Sequence, residues 1–298
     1  MGGENHPKQP NLCISHHARS GFRPSLIRLN NYFMSTGQCA LCLLTKPLQN
    51  SHIIPDFMLK EVEEDIPKGK SGLKQPHMRL INFQTTQEIY CNQKETAYKK
   101  EGLKEFLLCW DCEQRLAVGE KYVRCVLYGN KPIKEHTHAT RYSIRDRHRN
   151  GQVFQEGVEI RWVEFQRFKQ FQIGVIWKAC LAKGNFFEAA TAPASTIESM
   201  RQSILTGNHD EQLVPCVMRR LHDPTGWVME LIGRPKSHPE LSSIGMVMGG
   251  YIWDFFVRGN VDRRFALQAH GKLAIQIVDV KEWACAENRA QVKKDTER

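Results

Sequence analysis

The sequence predicts an α+β protein, with a cysteine-bounded N-terminal unit followed by a C-terminal part that is helical first and β-rich last. Three observations carry this expectation. Two Cys-x-x-Cys pairs, Cys39/Cys42 and Cys109/Cys112, bracket the first unit. Trp162, Phe165, Phe168, Phe171, Ile176 and Cys180 recur at spacings of three to five, the mark of a helix with one apolar face. Leu273 to Val280 is rich in Ile and Val, and Leu213 to Arg220, Gly226 to Ile232 and Met246 to Val257 also read as strands. A chain of 298 residues exceeds one domain of average size, so two folded units are expected.

Residues 1–34 come first. Gly2, Gly3, Pro7, Pro10 and Pro24 make regular structure unfavourable there, and Glu4 is the only acid among several basic residues. The segment reads as a disordered extension or as upstream translation ahead of a start at Met34, with a transit-like leader as a third option. Residues 35–130 form the cysteine-bounded unit. Within it Cys39-x-x-Cys42 opens a turn, residues 50–57 supply an apolar strand around Ile53 and Ile54, and residues 61–104 are polar and broken by Pro67, Gly69, Gly72 and Pro76. After Cys112, Leu116, Tyr122, Val123, Val126 and Leu127 fall at helical spacing, and Gly129-Asn130 supplies the stop.

Residues 131–154 read as a basic linker, and Arg141, Arg145, Arg147 and Arg149 are its candidate nucleic-acid contacts, with a solvated connector as the bland alternative. Residues 155–298 are expected as a second α+β domain with no assigned ligand, open to a sensory or partner-binding role. A helix is expected up to Gly184-Asn185. A second follows, opened by the capping box Ser195-x-x-Glu198 and closed at Gly207.

Lys and Arg number 42 against 32 Asp and Glu, a formal net charge of +10, and the isoelectric point is about 9.1. That balance suits a polyanionic partner, DNA above all, or an acidic surface. The apolar stretch from Ser243 to Val257 is interrupted by Gly249, Gly250 and Asp254 and falls short of the about 20 residues a membrane helix needs. No membrane partner is therefore expected. Ten cysteines are too dilute for a disulfide scaffold, and the close pairs suit metal ligation in a reducing, cytoplasmic setting. Each pair lets two thiolates of one tight turn reach a single ion, and together they complete a tetrahedral zinc site. The long interval between the pairs adds closure entropy only logarithmically.

Cys39-Ala-Leu-Cys42, then Ser51-His52-Ile53-Ile54-Pro55, then Leu107-Leu108-Cys109-Trp110-Asp111-Cys112-Glu113 resembles the zinc-containing branch of the HNH (ββα-metal) endonuclease superfamily. Within it the similarity is to bacterial HNH-like proteins with S-H-I-I-P followed by L-L-C-x-x-C-E. The match spans residues 38 to about 128, under a third of the chain. It implies a zinc-stapled, treble-clef-like ββα-metal domain that hydrolyses DNA phosphodiester bonds, in a prophage or antiviral-defence setting. It also implies that His52 is the base that deprotonates water and that Mg²⁺ or Mn²⁺ is held beside the helix. Glu113 stands at the helix ligand position, and Glu120, nearly two turns on, shares its face. Ser51 occupies the position where the family usually has an acid or histidine, with Asp56 as the alternative ligand. For His52 the competing reading is a buried histidine bonded to a carbonyl; for the two glutamates it is ordinary helix carboxylates. The alternative function is a catalytically inactive zinc module that binds nucleic acid or a protein partner, and in a third the C-terminal region senses a regulatory partner.

Overall fold

The computed structural model describes residues 35–58, 79–81, 103–129, 140–147, 154–222, 231–258, 261, 265–280 and 283. The fold is mixed α+β. Strand β1 (Thr36–Gln38) pairs antiparallel with β2 (Thr45–His52), the first cysteine pair lying in the turn between them. β3 (Arg79–Ile81) follows. β4 (Lys104–Cys109) returns antiparallel to β2, with a bulge at Gln49/Asn50, and runs without a break into helix α1 (Trp110–Tyr128). The buried residues of α1, Cys112, Leu116, Gly119, Tyr122, Val123, Val126 and Leu127, repeat at three and four residues, so one face seeks the core. The helix stops where Gly129 takes a left-handed conformation and its N–H bonds the Cys125 carbonyl, as the sequence predicts.

The second half begins with β5 (Thr140–Arg147) and β6 (Phe154–Arg161), an antiparallel pair at one edge of a seven-stranded sheet. The linker expected over 131–154 thus contains a strand, which the alternation Thr-Arg-Tyr-Ser-Ile-Arg-Asp-Arg permits once β6 supplies its ladder. Helix α2 (Phe165–Leu181) carries the aromatic repeat from Phe165 onward and is buried on nearly every side, whereas Trp162, expected as its first member, lies before the helix, exposed and with a positive φ. Helix α3 (Ala194–Thr206) follows, but its N-cap is Pro193, and Glu198 turns to Arg201 and Gln202 instead of closing a capping box with Ser195. The remaining strands are β7 (Cys216–His222), β8 (Leu231–Gly233), β9 (Lys236–His238), β10 (Ser243–Met248), β11 (Tyr251–Phe256) and β12 (Leu273–Asp279). The sheet order is β5-β6-β12-β7-β11-β10-β9, antiparallel except where β12 lies parallel to β7, while β8 pairs in parallel with β3.

The stretch Met246 to Val257, expected as one strand, is a hairpin. Gly249 and Gly250 both have positive φ, 58° and 77°, the two-residue turn that matches strand twist. Across the sheet Met246, Trp253, Met218 and Ile275 stand opposite one another in register and are buried, forming an inner row. Phe171 of α2 lies on that row, 5.6 Å from Trp253 between ring centroids, and also meets Phe57 at 6.0 Å. Phe57 in turn packs edge-on against Tyr128, and Tyr128 against Tyr251. Residues on both sides of the expected linker therefore share one hydrophobic core, and Met34–Arg298 clusters as one compact unit. Among the described residues no helix is long and apolar enough to cross a membrane.

Candidate metal centre and its surroundings

β1 and β2 are joined by a tight knuckle in which the Leu43 N–H bonds the Cys39 carbonyl and the Cys39 N–H bonds the Leu44 carbonyl, at 2.8 and 2.9 Å. Cys109 ends β4 and Cys112 lies in the first turn of α1, so the second pair sits at a strand-to-helix corner. The Ala40 N–H bonds the Leu107 carbonyl and joins the two pieces. All four Sγ atoms lie within 4.8 Å of one another, and Cys42 and Cys109 are 3.9 Å apart. Cys39, Cys109 and Cys112 are buried and Cys42 is half-buried. Such a set can hold a metal ion.

Burial pushes the Cys39 thiol up, but the backbone N–H groups of Cys109, Cys42 and Leu41 outweigh it and bring it down to about 7. The Cys109 N–H points at the Cys39 sulfur at 3.4 Å. Burial and the neighbouring sulfurs raise Cys112 strongly, and burial raises Cys42. Backbone donors thus favour the Cys39 thiolate on their own, whereas a cation among the sulfurs would favour ionising Cys42 and Cys112 as well. Arg201 of α3 donates to the carbonyl of Leu41, inside the knuckle, at 2.8 Å and is paired with Glu198.

Next to the cysteines the structure joins Ser51 and Glu113. The Ser51 side chain is buried, and its Oγ donates to Glu113 Oε2 at 2.7 Å. His52 is the last residue of β2, opposite Lys104. Its imidazole is 27% exposed, with Nε2 3.6 Å from Asp56 Oδ1. Burial, then the charge of Lys104, lowers its pKa, and Asp56 only partly offsets them, so the ring is neutral at pH 7. Glu120 is paired with the buried amine of Lys178 at 3.1 Å, and that amine also donates to the His52 carbonyl at 2.6 Å.

Of the residues singled out from the sequence, Cys39, Cys42, Cys109 and Cys112 come together as one cluster, Ser51 meets Glu113, and His52 meets Asp56. Glu120 meets a lysine. Among the described residues the four cysteines form the only group of three or more His, Cys, Asp and Glu side chains at metal-binding spacing; Asp56, Glu113 and Glu120 are not part of one. Arg141, Arg145 and Arg147 occupy register positions of one parity on β5, whereas Arg149 lies outside the described residues. Sequence reasoning missed Lys178 and Arg201. Lys178 did leave a signal, since a lysine interrupts the apolar run from Ile173 to Ala179. No protein-family model matches the chain, and neither does any curated protein or solved structure.

Proposed function

We propose that the four cysteines hold a structural zinc ion and that the chain is a metal-dependent phosphodiester hydrolase of the HNH kind acting on DNA. For the zinc, a tetrahedron with arms of about 2.3 Å has edges of about 3.8 Å. The 3.9 Å between Cys42 and Cys109 fits that edge, and all-thiolate ligation suits zinc in a scaffolding role.

The observation that carries the catalytic reading is the position of His52. It ends β2, whose partner β4 leads directly into α1, giving the strand–strand–helix order that the resemblance implies. A neutral, partly exposed imidazole can accept a proton from water, and Asp56 beside it favours the imidazolium that results. Glu113 offers a hard carboxylate in the first turn of α1, with the Ser51 hydroxyl on it. Mg²⁺ or Mn²⁺ held there would supply charge stabilisation to the scissile phosphate and the leaving oxygen. Glu120 is left out of this ligand set, because Lys178 already neutralises it. The arginines of β5 suit phosphate contacts, which position a duplex without reading its sequence.

The test is nicking of supercoiled plasmid with Mg²⁺ or Mn²⁺ by the wild type and by His52→Ala. Loss of a general base lowers the rate by about 10²-fold or more. Unchanged nicking by His52→Ala would overturn the assignment. A second reading, a non-catalytic zinc module that binds nucleic acid or protein, is favoured by one observation: outside the cysteines no three-ligand group forms among the described residues. It is supported if no divalent cation elicits nicking while DNA is still bound with a steep salt dependence.

A further inference from the structure

The amine of Lys178 is the least expected group in the interior. Its side chain is 1% exposed, on a helix whose neighbouring positions Val175, Ile176, Trp177 and Ala179 are apolar and buried. A leucine there would satisfy the packing at no electrostatic cost, whereas a buried ammonium must find partners for its charge and its protons. Lys178 finds them on two other elements. Glu120 of α1 supplies the opposite charge at 3.1 Å, and the main-chain carbonyl of His52, at the end of β2, accepts at 2.6 Å.

That carbonyl is where the chain leaves the sheet. The next ladder bond, from the Ile53 N–H to the Leu103 carbonyl, is 2.9 Å long, and Ile53 and Ile54 behind it are wholly buried. The peptide unit after His52 is thus held on both sides, by Leu103 through its N–H and by Lys178 through its oxygen. With the backbone fixed, two side-chain torsions remain to aim the imidazole, and Asp56 stands 3.6 Å from its Nε2.

We propose that Lys178 is the positioning residue of the His52 site, so that helix α2, and with it the C-terminal half of the chain, orients the imidazole by gripping its main-chain carbonyl. This rests on the reading of His52 as the base. Helix α2, in the region from residue 155 onward, then completes the site through Lys178.

The experiment uses the full chain and compares wild type, Lys178→Met and the double variant Lys178→Met/Glu120→Gln, which removes both charges of the pair together. Four quantities are read: plasmid-nicking kcat and KM, Tm, and the His52 imidazole resonance in ¹⁵N-histidine-labelled protein, identified by its absence in His52→Ala. Lys178→Met is expected to lower kcat by about tenfold or more with KM nearly unchanged. The double variant is expected to regain Tm but not kcat, because the His52 carbonyl still lacks its donor. Recovery of kcat together with Tm would make the lysine merely structural and overturn the proposal, and so would failure of both variants to fold. If the wild type does not nick, the hydrolase reading fails by itself and the resonance decides the positioning role. A His52 signal shifted or broadened in both variants supports that role, and an unchanged signal overturns it.

Discussion

Two histidines show how a few ångströms of surroundings decide what an imidazole does. Both are kept neutral, but His52 retains 27% exposure and lies among Lys104, Asp56, Lys178 and Glu120, whereas His209 is buried with Nδ1 2.7 Å from Ser203 Oγ. With His52 as the base proposed above, the acid limb of the nicking rate should fall below the ordinary histidine value of 6.5, because a depressed pKa leaves the imidazole unprotonated further into acid. A rate–pH profile on the wild type checks this, and a limb above 6.5 contradicts it. Burial, then the charge of Lys169, brings His209 down to about 4. Between pH 6.5 and about 4 the unfolded chain binds a proton that the native state refuses, so stability is full above 6.5 and drains as the pH falls. The loss from this group by pH 4.5 is on the order of 2 kcal/mol. Urea unfolding at pH 7 and 4.5 should show a drop larger in the wild type than in His209→Gln by about that amount. At this scale the cysteines were legible because their chemistry is written in local spacing. The Ser51–Glu113 and Lys178–His52 contacts were not, since each joins residues far apart in sequence and depends on how α1 and α2 pack.

The helices were legible as elements because periodicity is local, and their ends were found where a stop residue is local too, as with Gly129 and Gly207 in left-handed conformations. The misread elements share a different cause. Gly249-Gly250 looked like a flaw in an apolar run until a partner strand made it a hairpin turn, and Thr140–Arg147 looked like a charged connector until β6 supplied its hydrogen bonds. Strand identity depends on a neighbour that sequence pattern does not name. The helix–helix contact has a similarly non-local determinant in Gly119 of α1. A Cβ there would stand 3.0 Å from the Arg167 carbonyl oxygen and 3.1 Å from the Phe171 nitrogen, both main-chain atoms of α2 that cannot swing away. Replacing a mid-helix glycine by alanine ordinarily gains about 1 kcal/mol of helix propensity. Here overpacking, which costs about 1–3 kcal/mol, should outweigh that gain. Gly119→Ala is thus expected to destabilise by about 1 kcal/mol and Gly119→Val by more, measured by urea unfolding; a stabilised alanine variant would show that α2 yields.

For the whole molecule, the sequence suggested two units with the cysteines stapling only the first, and the shared core changes what metal loss should do. The cysteine knuckle is tied to α3 by Arg201 on the Leu41 carbonyl, α1 is tied to the same helix by Arg115 on the Leu205 carbonyl, and Phe57 and Tyr128 interlock with Phe171 and Tyr251. Released thiols would leave the corner between β4 and α1 without its cross-link, and α1 carries much of the surface on which α2 packs. The free energy of binding a structural metal is largely free energy of folding, so it should be shared by every element of one cooperative core. Chelation, or Cys109→Ser, is therefore expected to lower Tm in a single transition. The near-ultraviolet signal of the buried Trp177 and Trp253, far from the cysteines in sequence, should be lost together with the far-ultraviolet signal of the helices. If the tryptophan signal instead persists through a first transition that releases the metal, the cysteine-bounded part unfolds alone. The two-unit organisation suggested by the sequence would then describe the energetics better than the shared core does.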